Sequence, residues 1–323
     1  MPLVAFLPAP LAYAIAVLRG DVRYHLDKSL REEMTYVLKE VLGDQVSDED
    51  CVRVVRDFFR LRSCETVDVM RLADRGRSLA RLVNIRGLEH IEAALAAGKG
   101  AILCSAHFGS FRSCFSLLGY VGFPVALIGR WSYFDDSTLS PISRLFRRLT
   151  LTWPVADPLQ WPNLVRRKGA FGVAIQAALA LRQNKLIGIM VDWPDLGDPL
   201  APTDRAEPVR VEFLKQQALM QPGAFAIAQL TGAPVLLVLI RRSRDWRHQV
   251  LEISPPISTE GDTITLFRRC LAALESAICR DTAHWVGWLW ANDLQLSHVW
   301  LATLRRRNDS KFELQEQARQ RSV

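Results

Sequence analysis

The chain has 323 residues, 49% of them hydrophobic, and a formal net charge of +7. This excludes a chain too short or too polar to bury a sizeable core, and it leaves room for one elaborated domain with an extension. The basic residues are dispersed and form no recognisable nucleic-acid module, so an acidic surface, an acidic protein or phosphate groups are the expected partners, and nucleic acid is not.

Met1 to Leu18 is almost entirely apolar but is broken by Pro2, Pro8 and Pro10. It lacks the basic start of a signal peptide, and its uninterrupted helical part is too short to cross a bilayer. It either lies in a membrane interface or packs on the domain. From Val22 to Ala80 the spacing predicts two or three amphipathic helices. Leu26, Leu30, Met34, Val37, Leu38, Val41 and Leu42 recur at helical intervals, Gly43 ends the run, and Ser47-Asp48-Glu49-Asp50 opens a helix over Val52 to about Leu72.

Gly98-Lys99-Gly100 turns the chain into an apolar run, Ala101 to Cys104, that reads as a buried strand with His107 beyond its carboxyl end. Phe108-Gly109 can turn the backbone, and Ser110 is the expected N-cap of a helix from Phe111 to about Leu118, closed by Gly119. Ligands of open α/β sheets sit outside the carboxyl ends of the strands, which puts His107 at that crevice. Arg112 breaks a local rule: it falls in the first helical turn, where the macrodipole favours a carboxylate.

Phe123 to Gly129 is a second strand, ending at Arg130-Trp131, and Ser143 to Arg148 carries a charged helix. Arg167 to Gln183 reads as a helix packed through Ala174, Ala177, Ala178 and Leu181. Leu186 to Val191 is a buried strand with Asp192 at its tip, pointing to the same crevice as His107. Gly197 to Pro208 is a loop suited to a lid. Val209 to Leu214, Pro234 to Ile240 and Val250 to Ile253 read as strands, and a small-residue helix follows Pro222-Gly223. Thr282 to Trp290 is rich in tryptophan, a residue that more often anchors cores than stacks on ligands, and His284 and His298 are accordingly weak site candidates. The tail from Arg305 is polar and frayed.

The six cysteines, Cys51, Cys64, Cys104, Cys114, Cys270 and Cys279, show no metal or redox spacing and read as reduced thiols of a cytoplasmic protein. Cys104 and Cys114 flank the histidine, yet neither lies in a nucleophile motif. No G-x-S-x-G elbow, metal cluster or Gly-rich nucleotide loop occurs, so neither a serine hydrolase nor a bound metal or cofactor is expected.

Ser105-Ala106-His107-Phe108-Gly109-Ser110-Phe111, with Gly87-Leu88-Glu89-His90 and Ala97-Gly98-Lys99-Gly100 before it, resembles the core of the bacterial lipid A late acyltransferases, a family that includes phosphatidylinositol mannoside acyltransferases. Gln221-Pro222-Gly223 and Thr231-Gly232-Ala233-Pro234 are similar to the same family, and the likeness runs from about Lys28 to Trp290. Departures are Lys28-Ser29-Leu30 for the family's Arg-Asn-Leu, Lys215 for a glycine, and the lack of Pro-Glu and Arg-Arg-Trp around the tryptophan segment. The largest departure is Arg112, where the family's histidine motif has Asp or Glu.

The resemblance implies a mixed, mostly parallel α/β sheet flanked by helices, with an N-terminal helical extension. The expected division is residues 1–80 for the hydrophobic segment and helical lead-in, 81–304 for the acyltransferase-like domain and 305–323 for the tail. It implies transfer of a fatty acyl group from an acyl carrier protein or coenzyme A thioester to a hydroxyl or amine of a lipid, amine or other small acceptor, with peripheral attachment at the inner membrane. By that template His107 is the general base, Asp192 a site carboxylate and Arg144 the site arginine, with Arg147 a competitor; Arg112, Arg130, Phe108 and Gly109 are the further candidates to hold substrate.

An acid five residues after the histidine would fix its tautomer and stabilise the imidazolium; a guanidinium offers only donors and does the reverse. Three repairs are open. Asp192, Glu65 or Asp136 replaces the acid; or the acceptor is an amine or thiol needing less help, with Arg112 binding its carboxylate or phosphate; or catalysis is lost and the fold binds acyl chains or a carrier protein.

Overall fold

The computed structural model describes residues 7–71, 77–123, 125–129, 164–165, 169–193 and 207–297. Three helices lead in: α1 (Ala9–Leu26), α2 (Lys28–Leu42) and α3 (Asp48–Arg71). Each start has a local cause. Pro10 sits in the first turn of α1, where a missing N–H costs nothing. The Asp27 carboxylate accepts the Leu30 N–H at the head of α2. Ser47 Oγ accepts the Asp50 N–H at the head of α3 while its own hydroxyl donates to the Asp50 carboxylate.

A short helix, α4 (Arg77–Ala80), precedes strand β1 (Val83–Arg86) and helix α5 (Leu88–Ala96). Next come β2 (Ala101–Ser105), α6 (Phe111–Tyr120), β3 (Val125–Gly129), the two-residue β4 (Leu164–Val165), α7 (Gly169–Arg182) and β5 (Leu186–Met190). A hairpin, β6 (Val209–Phe213) and β7 (Gln216–Met220), leads to α8 (Gly223–Thr231), β8 (Val235–Arg242), β9 (Gln249–Ile253) and α9 (Thr263–Arg280).

The main sheet has the order β1-β9-β8-β2-β5-β3-β4. All neighbours are parallel except β8 and β9. Central strand β2 is buried along its whole length, and its alternation divides the core. Ile102 and Cys104, with Val235, Leu237 and Leu239 of β8, face a layer built by α2, α3, α7, α8 and α9. Ala101 and Leu103, with Leu236, Val238 and Ile240, face α4, α5 and α6. The protein is therefore an α/β sandwich with its helical lead-in laid across one face.

Several elements differ from the sequence expectation. Helix α6 does not close at Gly119 but runs on to Tyr120, and Gly122, at φ +99°, takes the left-handed turn instead. Ser110 occupies the N-cap position without capping, because its hydroxyl is engaged elsewhere. Leu214 and Lys215 form the hairpin tip at φ +52° and +60°, so Lys215 holds a conformation in which glycine is cheaper. That is the position at which the sequence departs from the glycine of the family it resembles.

Helix α1 packs one face on the domain, as one of the two alternatives for the first segment expects. Ala12, Tyr13, Ala16 and Gly20 are buried, the first three in a cluster with Cys64 and Val67 of α3. Leu11, Ile15, Leu18, Val22 and Leu26 are exposed along another face. No described helix is long and apolar enough to cross a membrane.

Candidate active site

The parallel strands β2 and β5 run side by side in register, Ser105 against Met190, so the residues just past their ends meet. His107 and Asp192 are those residues. Nδ1 of His107 lies 2.8 Å from Asp192 Oδ1. A carboxylate only accepts, so this contact places the ring proton on Nδ1 and leaves the lone pair on Nε2. The backbone N–H of His107 also donates to Asp192, at 3.1 Å to Oδ1 and 3.0 Å to Oδ2. Trp285 Nε1–H donates to Oδ2 at 2.8 Å, and Trp290 Nε1–H to the Asp192 carbonyl at 2.9 Å. Asp192 is fully buried, and this ring of donors offsets the cost of putting a carboxylate there.

Aromatic rings wall the imidazole. Phe111, Trp193 and Trp290 have centroids 4.6, 5.1 and 5.0 Å from it. The His107 side chain keeps 8% of its surface accessible, and Nε2 has no hydrogen-bond partner among the described residues. A base with one engaged nitrogen and one open nitrogen, in apolar walls, can take a proton from an attacking group.

The turn that carries His107 is clasped from the carboxyl-terminal side. Phe108 forms an isolated antiparallel bridge with Trp285, Gly109 N–H donates to the His284 carbonyl at 2.9 Å, and Val286 N–H donates to the His107 carbonyl at 2.8 Å. Gly109 sits at φ +60°, and a Cβ there would lie 1.8 Å from the Ile240 carbonyl oxygen. Only glycine fits. His284 is half-buried, stacks on Phe108 with centroids 5.3 Å apart, and accepts the Arg242 N–H on Nε2 at 3.0 Å. Burial pushes its imidazole down to about 4, so it is neutral and structural.

Below the turn lies a buried ion pair. Arg242 and Ser110 both donate to Asp68 Oδ2, and the Tyr13 hydroxyl donates to Asp68 Oδ1 at 2.6 Å. This cluster ties α1, α3, β8 and the head of α6 together. Burial, reinforced by Asp68, raises the Tyr13 phenol far above its ordinary range, so it stays a donor.

Arg112 does fall in the first turn of α6, and its partner is Glu65 of α3. Arg112 Nη1 donates to Glu65 Oε2 at 2.9 Å, and Arg62 Nη1 donates to the same oxygen at 2.8 Å. Arg62 also donates to the Gly109 carbonyl at 2.6 Å. Of the carboxylates considered for the missing acid, then, Asp192 contacts the imidazole and Glu65 instead pairs with Arg62 and Arg112; Asp136 lies outside the described residues, as do Arg130, Arg144, Arg147 and residues 197–206 of the expected lid.

Two expectations need correction. Phe108 was expected to hold substrate, but it is 1% exposed and belongs to the core, where it offers no surface to a ligand. Gly109 serves through its backbone, buried against Ile240, and not as a contact surface. Cys104 and Cys114 are fully buried, and burial pushes the Cys114 thiol up to about 12, which removes it as a nucleophile. Sequence reading passed over Arg62, Asp68 and Arg242 as functional groups, and gave Trp285 and Trp290 only a packing role. Cys64, Glu65, Asp68 and Arg71 are buried at helical spacing along α3, a face that their charges alone do not mark as inward.

A histidine and an aspartate thus meet at the carboxyl end of a mostly parallel sheet, a candidate acid–base pair on an α/β fold. Residues 1–134 match the family described as bacterial lipid A biosynthesis acyltransferase. The match agrees with the resemblance read from the histidine motif, covers less than half of the chain, includes His107 and Arg112 and ends before Asp192. No curated protein matches the chain.

Proposed function

We propose that the protein moves a fatty acyl group from a thioester, carried by an acyl carrier protein or coenzyme A, to a hydroxyl or amine acceptor. The observation that carries this reading is the 2.8 Å contact between His107 Nδ1 and Asp192, which leaves Nε2 open. Nε2 takes the proton of the acceptor as its oxygen or nitrogen attacks the thioester carbonyl. Asp192 stabilises the imidazolium that forms. The tetrahedral adduct then expels the thiolate, which receives the proton from Nε2, giving ester or amide and free thiol. His107 acts as catalyst throughout, with no bound metal or cofactor in this scheme.

In this scheme Asp192 takes over the work of the family's acid at the position of Arg112, reaching the ring from strand β5 instead of from the helix. The walls of Phe111, Trp193 and Trp290 suit an apolar acyl chain and exclude water from the thioester. Peripheral attachment at an anionic membrane fits the exposed Leu11, Ile15, Leu18 and Val22 and the net positive charge. The test is thiol release from dodecanoyl-coenzyme A and from a dodecanoyl carrier protein, with acceptor, comparing wild type and His107→Ala. Acceptor-dependent release that falls by about 10³-fold or more in the variant supports the reading; equal release in both sinks it.

A further inference from the structure

Beside the His107 pocket, two arginines meet at one carboxylate. Arg62 and Arg112 share one carboxylate oxygen, Glu65 Oε2, so two guanidiniums face one counter-charge. The two arginines differ in what remains open. Arg62 is enclosed, its other terminal nitrogen bound to the Gly109 carbonyl. Arg112 keeps 49% of its side chain exposed, and only Nη1 has a partner among the described residues. Its guanidinium lies over the Phe111 ring, 5.0 Å from the centroid, and the same ring meets His107 at 4.6 Å and the Arg62 guanidinium at 5.9 Å. The open cation is thus one aromatic ring away from the imidazole, at the amino end of α6, where the helix dipole adds to it.

We propose that Arg112 is an oxyanion subsite that holds a carboxylate or phosphate belonging to the acyl acceptor, close to the atom that attacks. This rests on the acyl-transfer reading for the meaning of "acceptor", although the anion site itself does not. Position assigns the anion to the acceptor. The phosphates of a coenzyme A or carrier-protein donor are separated from the thioester by the pantetheine arm, on the order of 15 Å when extended. An anion one ring from the general base is too near to be theirs. Arg62 and Glu65 position Arg112: Glu65 fixes one edge of the guanidinium, and Arg62 keeps Glu65 from cancelling its charge. The planar fork that remains suits a bidentate oxyanion.

Two experiments separate this proposal from the reading beneath it. In the first, wild type and His107→Ala are treated with phenylglyoxal, and modification of Arg112 is followed by peptide mass spectrometry against Arg53, an exposed arginine elsewhere. Inorganic phosphate or succinate should slow Arg112 several-fold relative to Arg53 in both proteins; equal slowing, or none, overturns the subsite whether or not the protein turns over. In the second, transfer from dodecanoyl-coenzyme A to ethanolamine is compared with transfer to serine, which adds a carboxylate, and to O-phosphoethanolamine, which adds a phosphate. The preferred anion is the one with the larger kcat/KM. Its ratio to ethanolamine should fall at least about tenfold in Arg112→Gln and recover in part in Arg112→Lys. An unchanged ratio overturns the proposal, and so does a rise confined to the KM of dodecanoyl-coenzyme A, which would give the anion to the donor. Wild type that transfers to nothing but shows protection of Arg112 overturns the acyl-transfer reading and leaves the anion site standing.

Discussion

Replacing Asp192 by Asn tests the heart of the site with almost no change in shape. The carboxylate receives the Nδ1–H of His107 at 2.8 Å, the His107 backbone N–H at 3.0 and 3.1 Å, and the Trp285 indole N–H at 2.8 Å. An amide has one accepting end. Turned with its NH2 toward the imidazole, it forces Nδ1 to accept, moves the ring proton to Nε2 and removes the base. Turned the other way, it sets a donor against the indole and backbone donors, costing about 1–3 kcal/mol for each buried group left unsatisfied. In either orientation a neutral amide cannot stabilise the imidazolium. A histidine that loses its orienting carboxylate in an analogous triad loses about 10⁴ in kcat, or about 5 kcal/mol. The expected result for Asp192→Asn is a kcat lowered 10³- to 10⁴-fold with a KM for acyl-coenzyme A near wild type, read by thiol release alongside circular dichroism. A folded variant retaining kcat within tenfold of wild type would refute the reasoning and leave His107 without its proposed partner.

Two further expectations concern the frame around the dyad. Gly109→Ala should cost about 3 kcal/mol or more in a thermal melt, since its Cβ would meet the Ile240 carbonyl at 1.8 Å at a positive φ; Gly98→Ala, at φ +73° with nothing within 4 Å, should cost only about 1–2 kcal/mol. Stability should also fall in mild acid through His284. Its native imidazole is pushed down to about 4 from an ordinary 6.5, so between those values the unfolded chain binds the extra proton. The stabilisation present above pH 6.5 is lost progressively as pH falls toward 4, by on the order of 3 kcal/mol. Denaturant melts across that range should show it, and His284→Gln should flatten the slope; an identical slope in the variant would assign the acid sensitivity elsewhere.

The dyad was legible in the sequence because each member sits just past a short, unbroken apolar run, and such runs become adjacent parallel strands. Arg112 was legible as an anomaly, but its resolution was not. Glu65 lies 47 positions earlier, in a helix whose charged residues read equally well as a solvated face, and only tertiary packing turns that face inward. The same holds for Asp68 and Arg242, 174 positions apart. Helix α9 could have been read from Asp262, whose carboxylate accepts the Thr265 N–H, and from Leu266, Cys270, Leu274 and Ala277 behind it. Strand β1 could not: four residues of alternating half-exposure carry too little pattern. The role of Trp285 and Trp290 was hidden because tryptophan density looks alike whether the indole N–H meets a carbonyl or a buried carboxylate.

The clasp between the histidine turn and the segment from Thr282 to Trp290 has a consequence for how the protein comes to be. Long-range contacts of this kind are closed late, because the intervening chain must first give up its freedom. During synthesis the histidine emerges long before Val286, Trp285 and Trp290 exist to hold its carbonyl and seat its aspartate. Under the proposed mechanism, a nascent or carboxyl-terminally clipped chain that has formed strand β2 still lacks the groups that seat Asp192 against His107, so its reactivity is expected to arrive with the final tryptophans.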